Sequence, residues 1–216
     1  MSKIFLEILD DERKSVFSQL AIYKNDGYLA GGTGLALQLG HRISFDFDVF
    51  THKPIGTRFR SSIEKHFSIR EVHVNSSDQY TFTTTGNIEV TFVWLESPLI
   101  RPLMTTSSLS LASMQDIAAN KANTLGLRAA WRDYVDLYWI MHDQEAPIQD
   151  VIAWANQKYP REFVEAQFLE QLVYFNDLTV TPIQFIDKGP STQEIQTFLK
   201  KTVSEYLEIR KQQIHS

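Results

Sequence analysis

Asp46 and Asp48 stand one residue apart in Phe45-Asp46-Phe47-Asp48-Val49-Phe50, where acids alternate with apolar residues. Alternation of that period is the pattern of a β-strand, and it turns both carboxylates to one face. At about 3.3 Å rise per residue the two side chains stand roughly 7 Å apart. Paired carboxylate oxygens suit one or two Mg²⁺ (or Mn²⁺) ions whose shells are completed by water and substrate phosphates. Two such ions activate an attacking hydroxyl and stabilise a departing oxygen. The same pattern also describes solvated acids on a half-exposed strand, so the pair alone does not decide.

The segment just upstream supplies what phosphate chemistry needs. Tyr28-Leu29-Ala30 reads as a short buried strand that runs into Gly31-Gly32-Thr33. Glycines let a backbone approach a ligand closely and adopt positive φ. Thr33 is placed to cap a helix over about 34–39. Amides at a helix start favour an anion, so Gly32 and Thr33 are read as engaging nucleotide phosphates. A ligand-free strand-to-helix turn has the same composition. The order is the specific part: strand, Gly-Gly-Thr, one short helix, then a strand with paired acids.

A second constellation lies further on. The stretch 114–127 is rich in Ala and free of Pro, and 130–142 continues the helical pattern. Lys121 and Arg128 are seven apart, nearly above one another on a helix, a cationic stripe fit for nucleotide or nucleic-acid phosphate. Asp133 and Asp136 share a face at i,i+3, while Tyr134, Leu137, Tyr138 and Met141 form an apolar stripe. Ordinary helix ion pairs, Arg132 with Asp136 foremost, account for the same charges. The sequence Asn87 to Trp94 reads as a strand after Gly86, with Glu89 facing away from Ile88 and Val90, either as a further site acid or as an exposed residue.

Gly31-Gly32-Thr33-x-Leu35-Ala36-Leu37-x-Leu39-Gly40-His41-Arg42-x-Ser44-x-Asp46-x-Asp48-x-Phe50 resembles the first motif of the AbiEii/AbiGii-type nucleotidyltransferases, of the DNA polymerase β-like superfamily. Asp116-x-x-x-x-Lys121, Arg128 and Arg132-Asp133-x-x-Asp136-Leu137-Tyr138 resemble its later motifs, so the likeness extends over roughly residues 28 to 140. It implies an α+β fold with a polymerase β-like mixed sheet. A nucleotidyltransferase core over 1–107 would be followed by a helical region over 108–216 that completes the active-site cleft. It also implies catalytic roles for Asp46, Asp48, Lys121 and Asp136, and nucleotide binding by Gly31, Gly32, Thr33, Lys121 and Arg42. Metal would be held by Asp46 and Asp48, with Glu89 as the third carboxylate that related enzymes draw from a later strand.

By that resemblance an NTP is the substrate, and a tRNA 3′ end or a protein is the acceptor. A cognate antitoxin would restrain the activity, as in toxin–antitoxin and abortive-infection systems. A small-molecule nucleotidyltransferase shares the metal motif and stays open, as does a nucleotide-binding module without turnover.

Composition sets outer limits. The chain has 216 residues with 43% hydrophobic content, enough for a substantial core, and no cysteine, which excludes disulfides and thiolate metal sites. The histidines have no pair at ligand spacing. No apolar run is long enough to span a bilayer and the N-terminus lacks a signal pattern, so the expectation is a cytoplasmic protein without membrane contact. The net charge of −5 argues against broad nucleic-acid binding. Arg58, Arg60, Lys65 and Arg70 still form a local cluster able to track an RNA backbone. Periodicity predicts a helix within 4–23 that stops at Gly27, strands at 28–30, 45–50, 69–74, 79–84 and 88–94, and a helix at 57–67. Helices at 114–127, 131–142, 148–158, 161–176 and 192–212 follow. In the last third, Phe163, Ala166, Gln167, Leu172 and Phe175 read as core. Trp154, Tyr159 and Phe168 read as packing or as the lining of a cleft.

Overall fold

The computed structural model describes residues 4–128 and 130–214. The chain divides into two compact units, Met1–Ser113 and Met114–Ser216.

The first unit is built around a mixed five-stranded sheet. Helix α1 (Asp11–Leu20) starts where the Asp10 side chain accepts a hydrogen bond from the Arg13 amide at 2.8 Å. It buries Val16, Phe17 and Leu20, and a 3₁₀ turn over Ala21–Tyr23 adds the Tyr23 ring to the core. Gly27, expected to end the helix, instead opens strand β1 (Gly27–Leu29), because the chain must turn early to bury Tyr23. Then follow α2 (Gly31–Leu39), β2 (Phe47–Thr51), α3 (Thr57–His66), β3 (Ile69–Asn75), β4 (Gln79–Thr84) and β5 (Glu89–Trp94). The strand order is β1-β2-β5-β4-β3, and β2/β5 is parallel while the other three pairs are antiparallel.

Alternation decides what each face of the sheet does. Phe47 and Val49 of β2, Val90 and Phe92 of β5, and Tyr80 and Phe82 of β4 join Phe17, Leu20, Tyr23, Ile63 and Phe67 in one buried cluster. Each such side chain stabilises by about 1.5–3 kcal/mol when fully buried. Intervening residues turn to the other face, where Asp48, Phe50, Thr91 and Val93 are half-buried. Strand β3 is an edge, mostly exposed, and two register shifts interrupt its pairing with β4. Charges and bulges of this kind protect an edge against further strand pairing. Residues 108–113, which the sequence pattern puts with the C-terminal half, run beside β1. There the Leu29 amide donates to Ser110 and the Ala112 amide to Leu29, both at 2.8 Å.

The second unit is helical: α4 (Met114–Leu127), α5 (Trp131–His142), α6 (Ile148–Lys158), α7 (Glu165–Val173) and α8 (Thr192–Ile214). Helix α4 packs against α5, α6 and α7, and α8 against α5, α6 and α7. The helix expected over 161–176 shrinks to α7, whose core stripe is Phe168, Leu169 and Leu172. Ala166 and Gln167 lie off that stripe and are exposed, which corrects their reading as core. Tyr159 and Phe168 are buried packing residues. Among the described residues no helix is long and apolar enough to cross a membrane.

Candidate functional site

One candidate cluster forms where β1 passes into α2. The amide of Ala30 donates to the Asp48 carbonyl at 2.9 Å, which ties this turn to β2. Gly31 then adopts φ +61°, and a Cβ added there would lie 2.1 Å from Asp48 Oδ2. Both the left-handed backbone and the occupied space require glycine. A Cβ on Gly32 would lie 2.5 Å from an Arg42 guanidinium nitrogen and 3.4 Å from Ser44 Oγ. One glycine thus makes room for a carboxylate and the next for a guanidinium.

Thr33 does not cap the helix. The helix starts two residues earlier, with Ala30 at the cap position and the Gly34 amide donating to the Ala30 carbonyl at 3.0 Å. The amides of Gly31, Gly32 and Thr33 therefore precede the first intrahelical bond. The Thr33 hydroxyl is buried, bonds with Ser44 Oγ at 2.8 Å and donates to the Asp46 carbonyl. Its observed contacts hold the backbone that carries Asp46. Arg42 is also buried, at 3% exposure, with Nη1 donating to the Ile43 carbonyl at 3.0 Å. A buried guanidinium beneath the turn adds positive potential where anions approach the helix start.

Asp46 falls just before β2, whose first residue is Phe47, and both Asp46 and Asp48 are half-buried. The pairing Asp48↔Thr91 and Thr83↔Glu89 puts Glu89 on the same sheet face as Asp48, two residues back along β5. Glu89 is exposed there. Among the described residues no three of His, Cys, Asp and Glu gather closely enough to hold one ion. Of the basic cluster, Arg60 is committed to the Ile55 and Ser76 carbonyls at 3.0 and 2.9 Å, and Arg70 to Asn87 Oδ1. Arg58, Lys65 and Arg70 are exposed, and Arg60 is half-buried.

A separate group of charges lies in the helical unit. Lys121 Nζ lies 2.7 Å from Asp133 Oδ1 and 2.6 Å from Asp136 Oδ2. The i,i+3 spacing on α5 delivers both carboxylates to one ammonium. Lys121 is 7% exposed and Asp136 is fully buried. Helix α4 ends at Leu127, and Arg128, whose amide still donates to the Thr124 carbonyl at 2.8 Å, lies exposed just past it while Lys121 is buried.

Sequence reasoning missed a neighbouring pair. Lys158 Nζ meets Asp116 Oδ1 at 2.6 Å with both side chains fully buried. Burial pushes the Lys158 ammonium below its ordinary value, opposed by Asp116. The signal was present: Ile148, Val151, Ile152, Ala155 and Lys158 follow the buried helical period of α6. Beside it the Tyr159 hydroxyl donates to Asn120 Oδ1 at 2.8 Å.

Compared with known proteins, residues 16–208 match the family model described as nucleotidyl transferase AbiEii toxin, type IV toxin–antitoxin system. The chain belongs to the AbiEii nucleotidyltransferase toxin family. An uncharacterized Aquifex aeolicus (strain VF5) protein, aq_aa25, is 32% identical over 189 residues, covering 85% of this chain and 89% of that one. Among solved structures, a candidate nucleotidyltransferase of H. pylori is similar with a TM-score of 0.55 at 14% identity, over 93% of this chain and 99% of that one. MenT4, a nucleotidyltransferase toxin of Mycobacterium tuberculosis H37Rv, is similar with a TM-score of 0.54 at 14% identity, over 88% and 80%. The α+β fold is that of the polymerase β-like nucleotidyltransferases. This AbiEii chain is a nucleotidyltransferase of a toxin family from toxin–antitoxin systems.

Proposed function

We propose that the protein moves a nucleoside monophosphate from an NTP to an acceptor hydroxyl, on a tRNA 3′ end or a protein, with Asp46 and Asp48 as the metal-holding pair. The supporting observation is the fit of Gly31 on Asp48: a glycine at φ +61° whose missing Cβ leaves room for a carboxylate beside a helix start. Two half-buried carboxylates form an all-oxygen donor set of the kind Mg²⁺ or Mn²⁺ prefers, while Glu89 lies on the sheet face of Asp48 without closing a three-carboxylate cluster. When bound, the metal would make the acceptor hydroxyl a better nucleophile and offset charge on the phosphates.

The chain's own groups do the positioning. The amides of Gly31, Gly32 and Thr33 receive phosphate oxygens, and buried Arg42 makes that turn more positive. Within the helical unit Asp133 and Asp136 orient the Lys121 ammonium, which the family motif assigns to nucleotide phosphate. Held in line, the acceptor oxygen attacks the α-phosphorus and pyrophosphate leaves. A cognate antitoxin would restrain the reaction, and the cytoplasm is where NTP, tRNA and antitoxin meet.

The test is transfer of α-³²P label from each of the four NTPs, with Mg²⁺, into total bacterial RNA and protein, with D48A as control. Label in a tRNA-sized band or a discrete protein, lost in D48A, is the expected result. Label that persists in D48A overturns the metal assignment.

A further inference from the structure

A ring-lined cleft lies at the far end of the strand that carries the carboxylates, with Tyr28 and His52 reaching it from the open face and Trp94, which alternates with Val90 and Phe92, from the other. Along β2, Asp48 is followed on the same face by Phe50, and His52 lies just beyond the strand. Tyr28 of β1 is paired with Phe50, and its ring centroid lies 5.9 Å from Phe50 and 5.8 Å from His52. A cleft of about 500 Å³ opens there, at the C-terminal ends of the parallel pair β2 and β5, lined by Tyr28, His52, Trp94 and residues 95–99. That is the usual size of a small-ligand site, and ligands of open sheets gather at the carboxyl ends of parallel strands. Leu95 and Leu99 frame it with exposed apolar surface, 46% and 36%.

The lining contains no lysine or arginine, so it is not built for phosphate. It offers ring faces, the Glu96 carboxylate as acceptor, and the Ser97 hydroxyl, whose oxygen is enclosed with no hydrogen-bond partner among the described residues. Ring faces with one donor and one acceptor at the edge match a flat heterocycle that carries both kinds of group. Four residues of strand, about 13 Å, separate His52 from Asp48, a span within reach of a nucleotide whose phosphates sit at the carboxylates.

We propose that this cleft is a nucleobase-stacking subsite, which takes the base of the incoming nucleotide or a base of an acceptor strand. The proposal rests on the transferase reading above. Stacking on aromatic rings tolerates any base, so the subsite adds affinity with little base preference.

The experiment uses the full chain with H52A and W94L, plus W94F as the variant that keeps a ring. Melting temperatures check that each is folded. Three probes are titrated: each NTP with Mg²⁺, inorganic triphosphate with Mg²⁺, and a 5′-fluorescein single-stranded RNA octamer with abasic substitutions at successive positions. Weaker NTP binding in W94L, about tenfold, with triphosphate binding unchanged and W94F restoring affinity, assigns the cleft to the incoming base. An abasic penalty at one RNA position, present in the wild type and absent in W94L, assigns it to the acceptor strand. The proposal is overturned if the folded variants bind NTPs and RNA within twofold of wild type, if triphosphate binding falls in parallel, or if the wild type binds neither NTP nor RNA. D48A transfer is measured alongside: its loss with unchanged binding in H52A and W94L removes only this proposal, whereas its persistence removes the metal assignment.

Discussion

The two units place charge in opposite ways. In the sheet unit Asp46 and Asp48 are half-buried on an open face, next to a helix start and a glycine that leaves them room. In the helical unit Lys121, Asp136, Asp116 and Lys158 are all buried, with cation and carboxylate paired at 2.6 Å. Burying an ion costs several kcal/mol unless a partner and further hydrogen bonds compensate it. The fully buried Lys158–Asp116 pair therefore holds helices, Lys121 is oriented by its carboxylates, and the sheet acids are placed where a ligand can reach them. A charge that serves chemistry needs access, and a charge that serves architecture needs a partner.

The comparison can be broken most sharply at the sheet acids. Asp48→Asn and Asp46→Asn should lower transfer about 10³-fold, the upper end of what losing one preorganised electrostatic group does. Their urea midpoints should stay close to wild type. A large stability loss with transfer retained would reverse the roles assigned to the two units.

Lys158→Met tests the other side. Leaving Asp116 buried without its cation should destabilise the fold by about 3–5 kcal/mol in urea unfolding, whereas Lys158→Met combined with Asp116→Leu should recover most of that. Equal losses in the single and double variants would mean that the pair acts through packing rather than charge.

A smaller effect is expected at Gly31. Gly31→Ala forces a Cβ against the Asp48 carboxylate and strains a φ of +61°. Moving a reacting group by about 1 Å costs roughly 10²-fold in rate, with about 1–2 kcal/mol lost in stability from the left-handed backbone. Steady-state transfer and a melting curve separate the two. Wild-type rates in Gly31→Ala would show that Asp48 does not need its observed position.

The mildest test is alkaline titration. Burial pushes the phenols of Tyr80, Tyr134 and Tyr206 up to about 12 from 10.0, helped at Tyr80 and Tyr206 by hydrogen bonds to Glu64 and Glu165 and at Tyr134 by the charge of Asp133. Between pH 10 and about 12 the unfolded chain loses these protons and the folded chain keeps them. Their contribution to stability is complete below pH 10 and is lost as pH rises through about 12. Absorbance near 295 nm should show late-ionising phenols in both units. Tyr80→Phe should remove one from the sheet unit and Tyr134→Phe one from the helical unit.

Much of the chain was legible before folding. Alternation at 79–84, Ala-rich periodicity at 114–127 and the apolar stripe of 131–142 became β4, α4 and α5, because each rests on local period and on neighbours within a few residues. Thr33 shows where that legibility stops. Its type and position suggested a cap, yet its partners are Ser44 and the Asp46 carbonyl, more than ten residues away. The helix start moved to Gly31 because β2 packs Asp48 against it.

By itself the amino-acid order determined the alternation of Phe and Asp, the paired glycines, the i,i+3 spacing of Asp133 and Asp136, and the family to which they belong. Only the tertiary structure decided that Gly31 yields to Asp48, that Gly32 lies over Arg42, and that Lys158 closes on Asp116 across 42 positions. The reason is physical. Periodicity shows which face a side chain takes, but the contact that balances a buried charge or fills a missing Cβ comes from a segment brought there by the packing of the whole unit.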